Sequence, residues 1–300
     1  MTWSFRGVSE TRLDTQLMKK FAGKTRRRAG KTDRAAARQT SARQTSARRS
    51  SAGPISAQEI SPKEDRRRPR FSKELSVLYE DDALVIVDKP AGLLAVPVEG
   101  SDAPSALSLL IARLQPKRQR ALIVHRIDRF ASGALVFAKT ASDREALVRQ
   151  FLAHTPVRQY LAVVRGRIGA QTGTAVHYFR RDGMYQQLRT ARDPRATRAE
   201  MRYSVERLFA DASLVRVELE TGLQNQIRAQ FSAMGHPVIG DRKYHREEAA
   251  EPLIARVALH AAHLEFVHPR SGKSVSVECK LPADFQNLVR ELGRADRAPR

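Results

Sequence analysis

Hydrophobic residues are spread very unevenly along this chain. Between Ala22 and Pro54 there is no Val, Ile, Leu, Met, Phe, Tyr or Trp. From about Phe71 onward, apolar runs alternate with polar breaks at the lengths of ordinary strands and helices. Ala83-Leu84-Val85-Ile86-Val87 predicts a strand, closed by Asp88-Lys89-Pro90-Ala91-Gly92. Leu107, Leu110, Ile111 and Leu114 recur at helical spacing, and Ser101-Asp102 is expected to cap that helix. The runs Ala121 to Val124 and Ala134 to Ala138 predict two strands around a short polar loop. Thr140 to Asp143 opens a second helix with Leu147 and Phe151 on its inner face, and Val157 to Val164 is β-rich. Tyr203 to Phe209 and Leu214 to Leu219 bracket Ala210 to Ser213 as an antiparallel hairpin. Ile227 to Met234 reads as a helix stopped by Gly235. A second hairpin turns at Pro269 to Gly272, and Pro282 begins a terminal helix. Strands joined partly by hairpins and partly by helices predict an α+β fold: a mixed, largely antiparallel sheet with flanking helices, over residues 71–296.

Residues 1–70 have a different character. They contain Arg26-Arg27-Arg28, a five-residue repeat from Ala37 to Ser46, and the cluster Arg66-Arg67-Arg68-Pro69-Arg70. Fixing each backbone residue costs roughly 1–2 kcal/mol. Alanine-sized apolar groups, the only ones from Ala22 to Pro54, cannot recover that cost, so a disordered, basic tail is expected, with a short helix carrying Trp3, Phe5, Leu13, Leu17 and Met18 as the alternative near Met1. Its functional reading is a mobile arm that adds nucleic-acid affinity through phosphate contacts; the bland one is a solubilising low-complexity extension or a mispredicted start of translation, and Glu10, Asp14 and Asp33 count against a third, a mitochondrial transit peptide.

Charge narrows the class of partner. The formal net charge is +22, and residues 1–70 carry 13 of those excess positive charges. An anionic partner is implied, nucleic acid before a membrane surface. Cys279 is the single cysteine, which excludes an intramolecular disulfide and points to a reducing compartment. No apolar run approaches the ~20 residues that span a bilayer, and no apolar core of a secretory leader follows the early basic residues. A soluble, cytoplasmic monomer is the expectation.

Within the predicted domain, candidate chemistry concentrates at His125-Arg126-Ile127-Asp128-Arg129-Phe130-Ala131-Ser132-Gly133. A polar loop held between two strands is a rigid support for a reactive side chain. Taken alone, an aspartate between arginines is more often a surface ion pair than a nucleophile. A protein-kinase loop also begins His-Arg, but its Asp follows at once, and neither a glycine-rich phosphate loop nor Asp-Phe-Gly is present here. His260 and His263 lack a third ligand nearby in sequence, so no metal site is read there.

The loop resembles the HRxDxxTSG signature of the RluA-type RNA pseudouridine synthases. Further segments resemble that family in the same order: Tyr79 to Gly92, Val157 to Val164, Leu219 to Arg228, Gly235 to Asp241, and Arg256 to Ala261. The resemblance implies isomerisation of uridine to pseudouridine in rRNA or tRNA, with Asp128 as catalytic nucleophile. It assigns Arg228 as the charge partner of Asp128 and Tyr160 as the platform for the base. Lys89, His125, Arg126, Arg129 and Asn225 are implied substrate-binding residues, although Lys89 and the loop residues could equally position the turn. The base detaches from ribose carbon 1, turns and reattaches through its own carbon 5, so neither cofactor nor metal is required. A carboxylate suits this work because it can act as a nucleophile and later accept a proton.

The match departs from the family pattern in places. Gly222-Leu223-Gln224-Asn225 stands where Gly-Arg-Thr-His is frequent, Ala131 replaces the usual threonine, and Phe130 takes a commonly polar position. These changes leave room for an alternative, a catalytically inactive RNA-binding or assembly factor that keeps the fold. A base-releasing glycosidase would usually need two placed carboxylates, and no second one stands out near the loop.

Overall fold

The computed structural model describes residues 74–183, 185–245 and 253–296. The basic segment 1–70 lies outside these residues. Eleven strands form one sheet: β1 (Ser76–Glu80), β2 (Leu84–Lys89), β3 (Leu122–Ile123), β4 (Ser132–Ala138), β5 (Val157–Arg165), β6 (Thr172–Asp182), β7 (Tyr185–Arg189), β8 (Thr197–Leu208), β9 (Ala212–Leu219), β10 (Leu259–Val267) and β11 (Ser274–Glu278). Their order is β1-β2-β4-β10-β5-β9-β8-β6-β7, with β3 on β4 and β11 on β10. Only the β4–β10 pairing is parallel. Among the described residues, four α-helices accompany the sheet: α1 (Ala106–Leu114), α2 (Ala141–Leu152), α3 (Gln226–Ala233) and α4 (Ala283–Ala295). The fold is therefore α+β with a mixed, largely antiparallel sheet, as the hydrophobic pattern predicts. No helix among the described residues is long and apolar enough to cross a membrane.

The unbroken apolar runs of β2 and β4 have a simple cause. Successive side chains on a strand face opposite sides, and here both sides are covered. Leu84, Ile86, Val136 and Ala138 pack with Leu147 of α2 on one side. Val85, Val87, Leu135 and Phe137 pack with Leu110 and Leu114 of α1 on the other. A larger core under β5, β8, β9 and β10 takes Phe231 from α3 and Phe285 and Leu288 from α4.

Two predicted details change. Helix α1 is capped by Ser105, not by Ser101-Asp102: Ser105 Oγ accepts from Ser108 N at 3.0 Å, and Ser108 Oγ accepts from Ser105 N at 2.9 Å. Pro104 disfavours helical backbone at the residue before it, which delays the start. The β6–β7 hairpin goes unannounced in the apolar pattern, since Ala175 and Phe179 are its only buried apolar positions among the described residues.

Strand registers run in line across the sheet. Lys89 is opposite Gly133, Gly133 opposite Ala261, Ala261 opposite Tyr160, and Tyr160 opposite Val217. Gly133 is the tightest point of this row. Its φ is +115°, and a Cβ there would lie 2.2 Å from the carbonyl oxygen of Ala261. Gly133→Ala is expected to destabilise the protein by at least about 3 kcal/mol, because backbone strain adds to a clash with main chain. Urea unfolding of the variant measures this loss.

Candidate active site

The loop between β3 and β4 is held from beneath by a buried cation. Lys89 ends β2 with no exposed surface. Its Nζ lies 2.9 Å from Pro90 O, 2.9 Å from Leu93 O, 3.2 Å from Arg129 O and 2.7 Å from Ala131 O. One ammonium thus joins the turn after β2 to both sides of residue 130. Burial pulls Lys89 down to about 7, with the charge of Asp128 opposing that fall. Two further bonds reinforce the join: Gly92 N donates to Arg129 O at 2.8 Å, and Arg129 Nε donates to Gly92 O at 3.0 Å. Ala131 N donates to Asp128 O at 3.2 Å and closes the turn.

His125 anchors the opposite end of the loop. Its Nε2 accepts from Val136 N at 3.3 Å, and its ring stacks on Phe151 at 4.3 Å. Burial, with the nearby charge of Arg158, pushes the imidazole down to about 3. A neutral ring spent on these contacts favours the loop-positioning role over a phosphate contact. The same preference holds for Lys89. Arg126 is exposed and has no hydrogen-bond or ion-pair partner among the described residues.

Asp128 meets a guanidinium that is itself firmly held. Arg228, on α3, donates from Nη1 to Asp128 Oδ2 at 3.1 Å. Its Nε and Nη2 form a two-pronged pair with Asp241, at 2.6 and 2.7 Å. Nη1 also donates to Asn225 Oδ1 at 3.0 Å. Asn225 reaches this position with left-handed backbone, φ 55°, immediately before the helix. Tyr244 covers the guanidinium, with its ring centroid 5.5 Å from Cζ. Burial works against the charged form of Arg228, but Asp241 and then Asp128 raise it above the usual arginine range.

The two carboxylates on Arg228 differ in kind. The Asp241 side chain is fully buried, and its Oδ1 also accepts from Lys243 N and Tyr244 N at 2.8 and 3.1 Å. The Asp128 side chain keeps 20% of its surface exposed. Its Oδ1 has no partner among the described residues. One oxygen is therefore tethered and the other is available.

Tyr160 projects from β5 and is 8% exposed. Its hydroxyl has no hydrogen-bond partner among the described residues. Burial pushes Tyr160 up to about 12; Arg158 opposes and the charge of Asp128 adds. The two side chains are thus within electrostatic reach of each other.

A family model described as RNA pseudouridylate synthase matches residues 83–233. The chain belongs to this family. Ribosomal large subunit pseudouridine synthase D of Zymomonas mobilis is 35% identical over 230 residues, covering 73% of each chain. The protein of that name from Xanthomonas campestris is 36% identical over 235 residues, covering 73% of this chain and 69% of the relative. In structure, human RNA pseudouridylate synthase domain containing 4 superposes with a TM-score of 0.61 at 22% identity, covering 73% of this chain and 93% of that one, and so shares the fold.

Within the synthase, sequence reasoning passed over Asp241. The signal was present, because Gly240-Asp241 closes one of the matched blocks, but only the tertiary contact shows it gripping Arg228. Asn225, implied as a substrate contact, is turned to the same guanidinium. His260 is occupied by Ser132 Oγ at 2.9 Å and Cys279 O at 3.2 Å.

The unequal burial of the two carboxylates gives unequal expectations. Asp241→Ala leaves a buried guanidinium short of its main partner and is expected to cost about 3–5 kcal/mol. Asp128→Ala, at a half-open pair, is expected to cost no more than about 1 kcal/mol. Parallel urea titrations of the two variants decide this, and equal losses would contradict the division.

Proposed function

We propose that this RNA pseudouridine synthase isomerises uridine in ribosomal RNA, with Asp128 as nucleophile. The observation that carries this reading is the half-tethered carboxylate: Asp128 Oδ2 is fixed on Arg228 while Oδ1 has no partner among the described residues. A nucleophile needs a fixed approach and a free lone pair. Support for the ribosomal substrate comes from relatives named for the ribosomal large subunit.

In this reading, the bond between uracil nitrogen 1 and ribose carbon 1 breaks, and a bond from uracil carbon 5 to the same ribose carbon forms. The proton on carbon 5 leaves and nitrogen 1 gains one, so the change is an isomerisation. Asp128 engages the reacting nucleotide first and accepts a proton later. Tyr160 carries the base, its unpartnered hydroxyl beside the reacting atoms. Arg228 holds the carboxylate in one orientation throughout. The target uridine must leave its stack, at a cost of a few kcal/mol, which favours loops and unpaired nucleotides.

With large-subunit ribosomal RNA tritiated at uridine carbon 5, the protein is expected to release tritium, and Asp128→Ala to lower the rate by more than ~10³-fold. Release that persists in the variant would overturn the assigned nucleophile. Free uracil among the products would mark a glycosidase instead.

Residues 1–70 are proposed as an arm that binds RNA phosphates, on the strength of their charge. Removing them is expected to weaken RNA binding and to flatten its dependence on salt. Equal affinity and slope in the truncated protein would reject the arm.

A further inference from the structure

We propose that Arg158 is an anion-binding residue of the active-site cleft, a buried guanidinium two residues from Tyr160 that takes a phosphodiester next to the target uridine. The proposal rests on the RNA substrate argued above.

Among the described residues, three arginines are buried: Arg158, Arg228 and Arg256. Arg228 is paired with Asp241, and Arg256 with Asp284 at 2.7 and 2.9 Å. Arg158 is 7% exposed and has no carboxylate within ion-pair distance among the described residues. Its one protein hydrogen bond runs from Nη2 to Leu219 O, at 3.1 Å. Its Nε is sealed from solvent with no partner. A buried charge left without a counter-charge is strongly unfavourable. Such a group is retained where an anion from outside completes it.

No described carboxylate is in contact with Arg158. The acid with electrostatic reach to Arg158 is Glu220, whose carboxylate binds Arg202 at 2.6 Å. The other titratable groups facing it are Tyr160 and the imidazoles of His125 and His154. None of these brings a negative charge at neutral pH.

The remaining nitrogen, Nη1, makes no hydrogen bond to a described residue, and Gly222 approaches it closely without a side chain. A Cβ at position 222 would lie 2.9 Å from Nη1. Leu223 follows that glycine, so this turn contributes no guanidinium of its own. Arg158 and Tyr160 also share one face of β5, as residues two apart on a strand do. A base held on Tyr160 therefore brings its neighbouring phosphodiesters within reach of the cation. The planar fork of a guanidinium suits a phosphate oxygen pair.

The test measures binding of the full chain to large-subunit ribosomal RNA made in vitro, across a range of salt. Arg158→Gln is expected to lower the slope of log Kd against log salt by about one, the value of one lost phosphate contact. Affinity at fixed salt should fall about tenfold, and the kinetic loss should fall on KM more than on kcat. Arg158→Lys keeps the charge and should keep the slope. Gly222→Ala displaces the guanidinium and should reproduce the Arg158→Gln result, which secures the test if that variant does not fold. A wild-type slope in folded Arg158→Gln, or in Gly222→Ala, overturns the proposal. Wild-type protein that binds RNA but releases no tritium would sink the catalytic reading alone, with the slope still deciding Arg158. Wild-type protein that does not bind RNA would sink both.

Discussion

A lysine ammonium buried among main-chain carbonyls holds this active site in place. Lys89 leaves the end of β2 and gathers the oxygens of Pro90, Leu93, Arg129 and Ala131 around one charge. Charged donors make strong hydrogen bonds in a low-dielectric interior. The turn after β2 and the loop bearing Asp128 therefore behave as one body. Lys89 also heads the row that passes through Gly133 and Ala261 to Tyr160. The loop and Tyr160 are thus indexed to the same line across the sheet, and their spacing is set by strand geometry rather than by loop flexibility.

Arg228 solves a second problem, that of presenting a cation to an aspartate without letting it swing. Asp241 occupies two of its nitrogens from a fully buried position, and Asn225 shares the third with Asp128. With the guanidinium plane fixed, Asp128 contributes a single oxygen to the pair. The division is between a carboxylate that is sealed and saturated, Asp241, and one that is neither, Asp128. The departure at Leu223 to Asn225 is absorbed by this arrangement. Asn225 faces the guanidinium rather than the opening, so the change alters how Arg228 is held.

Buried cations in this domain therefore fall into three conditions. Lys89 is compensated by several main-chain dipoles, Arg228, Arg256 and Lys139 by carboxylates, and Arg158 by one carbonyl with no carboxylate in contact among the described residues. Arg158 sits on the same strand face as Tyr160. A surface rich in arginine speaks only of a polyanion in general. A buried guanidinium two residues from Tyr160 is a more local feature than that general charge.

Much of this was legible in the amino-acid order. Alternating and continuous apolar runs determine strands and helices, because side-chain direction follows from local backbone geometry alone. The ordered motifs around Asp128, Tyr160 and Arg228 determine the family, whose model spans residues 83–233. What stayed hidden depends on contacts between distant positions. The sequence shows Lys89 in a turn but not the four oxygens it meets, since two of them lie about forty residues away. Asp241 read as one acid in a block, because its burial against Arg228 exists only once α3 and the following turn pack together. The β6–β7 hairpin was silent because it is mostly exposed and needs few apolar residues. Local order is written into local sequence. The tethered and free oxygens of Asp128, and the missing counter-charge of Arg158, are properties of an assembled interior, where burial decides which charges must be paired.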